Sequence, residues 1–517
     1  MSTKYDAIII GAGHNGLTTA AYLARAGQRV LVLERRDVVG GSVVTESPWP
    51  GYRVDTLQHF GGLRPDIVRD LDLARFGLTT TRVGLTALQP GGGALELGSG
   101  GGASAQAIGA FNRTDAERWP AFTALMAKVA GFLNEVYAAP FPRVPQIDAA
   151  EAPALAQLGL KLRGLGKKDM IEAVRVLPMS MLELLDEWFE SDLLRGALAA
   201  RGVHGLMQGP MGAGTAFLFL HLWANNDSLF QTRVKGGAGA LSEALAQAAT
   251  GFGAELRLSA EVAQVKLSGD RATGVVLANG EEITAQRVVS ALDPRRTFLG
   301  LVGPDALDPE FVWATQNIKL RGCVAKVNLA LDGLPTFTGV TEAGLRGALT
   351  LSPSLNDLER AYDAAKYGGL SERPYLEVSL PTLAEPGLAP DGKHLLSVHM
   401  QFAPYRGEQA DWATRIEAIV VNALAQLAPD LPGRILHSQV LTPRDLETRF
   451  GLTEGNLYHG EMMLDQILFM RPLSGWAQHR TPIENLYLCG PGTHPGGGVS
   501  GASGRNAARQ ILKDQKA

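Results

Sequence analysis

Two short apolar runs near the start of the chain, Asp6-Ala-Ile-Ile-Ile10 and Arg29-Val-Leu-Val-Leu-Glu34, flank residues 17–26, which carry Ala20, Ala21, Leu23 and Ala24 on one helical face. Continuous β-branched runs suit parallel strands buried on both faces, and a small apolar stripe lets a helix pack closely upon them. The pattern predicts strand, glycine turn, helix, strand. Residues 63–81 turn helical and then extended, and residues 89–104 read as a glycine-rich loop without periodicity. Helical spacing returns over 113–136 and 150–200, broken by Pro140, Pro142, Pro145 and Pro178, so a mostly helical insertion is expected there. Residues 216–224 are the longest apolar piece; with His221 and Trp223 inside it, this piece reads as a buried or interfacial helix.

At residue 254 the period changes to two. Segments 254–258, 262–267, 272–278, 282–284 and 287–290 are separated by turns that include Ser268-Gly269-Asp270 and Asn279-Gly280. Asn-Gly between alternating segments is a strong hairpin signal. A second strand-rich region, 324–331, 348–351, 375–380 and 395–402, precedes a helix over 411–427 and is expected to form a separate antiparallel sheet. The chain closes with a strand at 486–490, a glycine-rich turn at 491–498 and a helix at 503–513, returning to the kind of element with which it began.

A chain of 517 residues suggests roughly two to four structural units. Its 48 basic and 52 acidic residues leave no surplus positive charge for a nucleic-acid backbone, so no nucleic-acid partner is expected. Cys323 and Cys489 lie far apart without CxxC spacing, which excludes a disulfide framework, a zinc ribbon and a dithiol redox centre. Redox chemistry therefore needs a borrowed cofactor, and no metal site is expected. No apolar stretch reaches the ~18–20 residues of a membrane span, so the expected location is cytoplasmic.

Gly11-Ala-Gly13-His-Asn-Gly16, set between strand and helix, has the form of a dinucleotide-binding turn: Gly11 for the tight turn, Gly13 for close approach of a pyrophosphate, Gly16 for helix–strand packing. Glu34 ends the next strand, where a carboxylate can accept from ribose hydroxyls. His14 is expected to face solvent. Gly40-Gly41-Ser42 follows six residues after Glu34, and Cys489-Gly490-Pro-Gly492-Thr-His494-Pro-Gly496-Gly497-Gly498-Val499 opens the last helix. A glycine-lined helix start suits an electron-rich ring that becomes anionic on reduction. Gly236-Gly237-Ala-Gly239 lacks a comparable strand–helix unit, so a dedicated nicotinamide domain is not expected.

With the paired glycines after the first motif, the chain resembles the phytoene desaturase and carotenoid oxidoreductase family of FAD flavoproteins, relatives of the amine oxidases. Leu184-Leu185-Asp186-Glu187-Trp188-Phe189, Ala403-Pro404-Tyr405-Arg406, Tyr458-His459-Gly460-Glu461 and Thr493-His494-Pro495-Gly496-Gly497 extend the likeness. They point to the branch holding the cyanobacterial-type β-carotene ketolases and to a neighbouring branch, the pyridine nucleotide-disulfide oxidoreductase domain 2 proteins. The resemblance implies an α/β fold in which a Rossmann-like FAD-binding domain (1–75, 230–300 and 450–517) is interleaved with a mixed-sheet and helical substrate domain (76–229 and 301–449, insertion 113–200). It implies FAD contacts at Gly11, Gly13, Gly16, Glu34, Gly40, Gly41, Ser42, Val262, Gly490, Gly496, Gly497 and Val499. Where this chain has Ser42, many relatives place Arg or Ala, so a charged diphosphate contact at that position is absent.

The expected activity is hydride abstraction from an apolar polyene to the flavin, as in C4 ketolation of β-carotene, with O2 or a quinone open as acceptor. A carotenoid desaturase, a flavoprotein like the pyridine nucleotide-disulfide oxidoreductase domain 2 proteins and a flavin amine oxidase are the alternatives, with an escort-type binding protein on the same scaffold as the non-enzymatic one; the amine oxidase requires a polar or aromatic-caged pocket. An apolar substrate would also suit peripheral membrane contact through the helical insertion. His494 is the candidate catalytic side chain. Asp55 and His59 face substrate or brace their loop; His399 faces a tunnel or water; Arg505 and Asn506 contact cofactor or join the layers. Glu461 and Asp465 read as surface carboxylates.

Overall fold

A computed structural model describes residues 5–98, 102–144, 152–226 and 228–516. Residues 99–101 of the expected glycine loop, Pro145 and the first two residues of the expected 150–200 helical stretch lie outside the described residues.

The apolar runs build a five-stranded, all-parallel sheet ordered Leu486–Leu488, Val288–Ser290, Ala7–Ile10, Val30–Leu33, Glu255–Arg257. Its central strands, Ala7–Ile10 and Val30–Leu33, are buried on both faces, which explains their unbroken hydrophobicity. Strands brought in from the start, middle and end of the chain lie side by side. Helix His14–Arg25 packs between Gly239–Gly251 and the last helix, Ala502–Asp514, and Gly504 marks the closest approach: a Cβ there would overlap the carbonyl oxygen of Asn15. The alternating segments Val262–Ser268, Arg271–Leu277 and Glu282–Thr284 form a three-stranded antiparallel sheet. The segment expected at 254–258 instead joins the parallel sheet as its edge strand.

The second sheet has seven strands, in the order Ile435–Leu441, Val324–Leu331, His394–Gln401, Leu376–Ser379, Ala348–Leu351, Leu85–Leu88, Ala94–Leu97. All pairs are antiparallel except Ala348–Leu351 with Leu85–Leu88. Ala94–Leu97 corrects the expectation of a structureless loop over 89–104, as does the helix that begins at Ala103. The strand is only four residues long, and the glycines before it hide its alternation. Period two divides the sheet chemically. Val327, Leu329, Val378, Val398 and Met400 face helix Trp412–Ala425 through Trp412, Ile416 and Val420. The alternate positions are polar and equally buried: Lys326, Asn328, Glu377, Ser379, Ser397, His399 and Gln401.

The insertion is helical, with Arg113–Tyr137, Ala152–Gly164, Lys167–Val176, Met181–Asp186 and Asp192–Val203. Thr215–Asn226 is buried nearly all round in their shared core, so this piece is not an interfacial helix lying on a bilayer. Among the described residues no helix is long and apolar enough to cross a membrane.

Gly11 has φ +96°, and a Cβ on Gly16 would overlap the Gly11 carbonyl oxygen, so the first turn closes only with glycine at both ends. Gly16→Ala is expected to lower unfolding stability by about 1–3 kcal/mol through this overpacking; a urea midpoint equal to wild type would contradict it.

Candidate functional site

The parallel order sends the loops after the first two strands to one end of the sheet, where they meet. Gly13 bridges to Gly40, Gly40 N donates to Ala12 O at 2.9 Å, and a Cβ on Gly41 would lie 3.5 Å from Gly13 Cα. Beside them runs a cavity with about 1970 Å³ of atom-free space counted to its open mouth. Gly11, Gly13, Gly16, Glu34, Gly40, Gly41, Ser42, Val262 and Val499 line it. Glu34 is buried; its Oε2 accepts from Ala12 N at 2.8 Å and its Oε1 from Arg36 N at 3.0 Å, which holds the carboxylate rigidly at the cavity wall. Arg36 also lines the cavity and donates through Nη1 to Gly41 O at 3.2 Å, so a cation stands beside the paired glycines although Ser42 carries none.

The remaining expected residues sit elsewhere. Gly490, Gly496 and Gly497 are absent from the cavity lining, and protein packing accounts for all three. A Cβ would lie 2.6 Å from Ala291 O at Gly490, 2.6 Å from Met462 Cε at Gly496, and would overlap the Tyr458 ring at Gly497. His494 is fully buried behind this turn, its Nε2 3.1 Å from Val136 O, against Phe141 and Tyr137. His14, expected in solvent, is buried as the first residue of its helix and lines the cavity. Arg505 and Asn506 both donate to Tyr137 O at 3.1 Å, tying the last helix to the helical layer. Asp55 braces its loop, accepting from Thr45 Oγ1 at 2.7 Å and Ala238 N at 2.8 Å. Glu461 is fully buried rather than on the surface, while Asp465 pairs with Lys319 at 2.5 Å.

The far part of the cavity is built from residues with no sequence motif. Arg201 and His204 come from the end of helix Asp192–Val203, Asn225 from Thr215–Asn226, Gln231 from the strand Gln231–Val234, and Glu377 from the polar face of the seven-stranded sheet. Glu377 organises this group. Its Oε2 accepts from Gln231 Nε2 at 2.6 Å and Arg201 Nη1 at 3.2 Å, and its Oε1 lies 3.2 Å from His59 Nε2. His59 stacks on His399, ring centroids 4.4 Å apart, and Lys326 Nζ lies 2.7 Å from His59 Nδ1. An ionised carboxylate only accepts, so His59 carries its proton on Nε2 and takes the Lys326 donor at Nδ1.

Burial by itself would raise Glu377, but His204, His399 and His59 hold it well below the usual carboxylate range. Burial pushes Lys326 down to about 7 against the pull of Asp55 and Glu377. His59, His399 and Glu377 offer ligand atoms within 4.8 Å of one another. Arg201 already pairs with the carboxylate there and Lys326 Nζ occupies the Nδ1 lone pair of His59, so the cluster reads as a proton-bearing network rather than a cation site.

Two features of the cavity fit FAD. The face of Gly13 is open, with nothing within 4 Å of where a Cβ would stand, as a pyrophosphate cradle requires. Asn225 and His459 line the cavity, and each carries a buried polar atom without a hydrogen-bond partner, Asn225 Oδ1 and His459 Nδ1, the pattern left when a polar ligand completes a site.

A family model described as flavin containing amine oxidoreductase matches residues 16–512. The chain is 35% identical to a pyridine nucleotide-disulfide oxidoreductase domain-containing protein 2 of Rattus norvegicus, over 100% of this chain and 94% of that protein. It is 25% identical to a lycopene-forming phytoene desaturase of a Paracoccus species, over 98% and 97%. A wild-type putrescine oxidase bound to putrescine shares the fold, with a TM-score of 0.61 at 19% identity over 99% of each chain.

Burial pushes His14, His221, His399 and His494 down to about 4, and His459 and His479 to about 3. Unfolded histidines titrate near 6.5. Between pH 6.5 and 4 the unfolded chain therefore binds more protons, and stability falls with falling pH by up to ~1.4 kcal/mol per unit for each such histidine. Melting temperature is expected to drop steeply across that window and to show no such drop from these groups above it; a scanning-calorimetry profile flat from pH 7 to 4 would contradict this.

Proposed function

Because the chain belongs to the flavin containing amine oxidoreductase family and is an FAD-dependent oxidoreductase, we propose that it takes a hydride from a carbon carrying or adjoining a hydrogen-bonding group of a small polar substrate. The observation that carries this reading is the far part of the cavity, where Arg201, His204, Gln231 and Glu377 converge and His204 Nδ1 and Gln231 Oε1 lack partners. A bare polyene would leave each such atom unpaired away from water, at about 1–3 kcal/mol apiece. A polar substrate satisfies them. That is the pocket required by the flavin amine oxidase alternative rather than by C4 ketolation of β-carotene.

In this reading the cofactor unit is 1–75, 230–300 and 450–517, a division supported by all five parallel strands falling within it. Gly11, Gly13 and Gly16 take the diphosphate with Gly40, Gly41 and Ser42, Arg36 supplies positive charge beside them, Glu34 accepts from the ribose, and Val262 and Val499 border the two ring systems. FAD when bound accepts the hydride and its two electrons. The chain's own groups handle the accompanying proton. His204 borders the cavity, and burial lowers its pKa, so at neutral pH its free Nδ1 accepts the proton lost from the substrate heteroatom. Glu377 remains ionised and fixes the donors around it.

A second reading, dehydrogenation of an isoprenoid chain, is favoured by the likeness to the phytoene desaturase along nearly the whole chain.

The test is anaerobic bleaching of the protein-bound flavin by small amines, alcohols and amino acids, compared with β-carotene and phytoene in liposomes. A polar compound is expected to bleach it without lipid and at least ~100-fold faster than either carotenoid. Bleaching by carotenoids alone would overturn the proposal: products that gain oxygen and lose two hydrogens would establish ketolation, and loss of hydrogen alone a desaturase. His204→Gln is expected to slow bleaching about 10²–10⁴-fold while FAD content holds.

A further inference from the structure

Resting on the polar-substrate reading, we propose that Arg201 and His204 form a carboxylate-recognition subsite, so that the substrate carries a carboxylate beside its reacting carbon. Arg201 stands in the last turn of Asp192–Val203 and His204 follows it directly, which brings both side chains to the same stretch of cavity wall. Arg201 is only 7% exposed, too enclosed for an ordinary surface cation. Its one hydrogen bond among the described residues is from Nη1 to Glu377 Oε2 at 3.2 Å, which leaves the other guanidinium N–H groups to the cavity it lines. Glu377 does not swing with it. Gln231 Nε2 and the His59 and His399 rings occupy the rest of that carboxylate, so the fork of Arg201 is held in one orientation.

Arg201 spends one N–H on Glu377 inside this wall, and a substrate carboxylate pairs with the rest of its planar donor fork, whose geometry matches it. His204 adds a donor once its ring is protonated, or accepts at Nδ1 from the group adjoining the carboxylate. A cationic amine placed at the same point meets Arg201 directly, so the subsite selects against simple amines. Phosphate also fits an arginine fork, but two full charges need more donors than one guanidinium and one imidazole provide.

Benzoate, benzylamine, benzyl alcohol and inorganic phosphate are the probes, titrated into the FAD-loaded protein by calorimetry and by the shift of the flavin visible spectrum. Benzoate is expected to bind at least ~10-fold more tightly than the other three. Arg201→Met is expected to weaken benzoate by about 10–100-fold, the worth of hydrogen bonds to a charged group, and to change benzyl alcohol affinity by less than about threefold. Should the single variant fail to fold around an unpaired Glu377, the Arg201→Met/Glu377→Gln double variant removes both charges and is expected to show the same selective loss. Benzylamine or benzyl alcohol binding as tightly as benzoate would overturn the carboxylate subsite while the polar-substrate reading stands. Phosphate equal to benzoate, or benzoate affinity unchanged in both variants, would overturn the subsite as well. If no polar probe binds and only carotenoids bleach the flavin, both readings fall.

Discussion

An ionised carboxylate in the middle of a buried sheet needs donors around it, and Glu377 draws them from three separate parts of the chain. Arg201 comes from the helical layer, Gln231 from a strand paired antiparallel with residues 80–83, and His59 from the loop after the paired glycines, while His399 on the neighbouring strand lies 3.6 Å away and gives its Nε2 proton to Leu57 O. The register makes the last of these unavoidable: Lys326 pairs with His399, and His399 pairs with Glu377, so three ionisable side chains stand in one row across three strands. Removing one partner would leave a buried charge uncompensated, which is strongly destabilising. The same bonds that stabilise the row therefore lock the helical layer, the glycine loops and the seven-stranded sheet around one cavity.

The two sheets solve different problems with the same strand geometry. The parallel sheet is apolar on both faces of its central strands because helices cover it, and its polar business is carried out at its carboxyl end, where backbone rather than side chains meets the ligand. Gly11, Gly13 and Gly16 serve there by lacking a Cβ. The seven-stranded sheet keeps one apolar face for helix Trp412–Ala425 and turns a polar face inward. Burying polar groups at such density is tolerable because most are paired, as in the 2.7 Å bond from Ser397 Oγ to Asn328 Oδ1. Among the described residues the exceptions on this sheet are Thr350 Oγ1, His399 Nδ1 and Ser438 Oγ.

His494 illustrates how a motif can mislead about a side chain. The glycine cluster around it does border the cavity, through Gly498 and Val499, but His494 itself turns away to Val136 O. Its neighbours Gly496 and Gly497 are glycine because Met462 and Tyr458 pack on them, a requirement of the protein interior that in sequence looks the same as closeness to a cofactor. His14 errs in the opposite direction. A residue in the variable position of a glycine turn looks solvated, yet the loop folds under Gly498 and buries it.

The sequence by itself determined the parallel sheet, the hairpins at 262–284, the helical insertion and the cofactor turn, because each rests on local order: β-branched runs, Asn-Gly turns, helical spacing, glycines at set intervals. It also held a faint trace of the far cavity in His399, an ionisable residue between Val398 and Met400 on a strand. Nothing local says that His399 shares a row with Lys326 and Glu377, or that Arg201, 176 positions before Glu377, closes on that carboxylate. Strand register and the packing of distant layers decided that. Pairing a buried charge is a long-range constraint, satisfied only once the chain has brought its partners together, and so the chemistry of the cavity belongs to the tertiary structure.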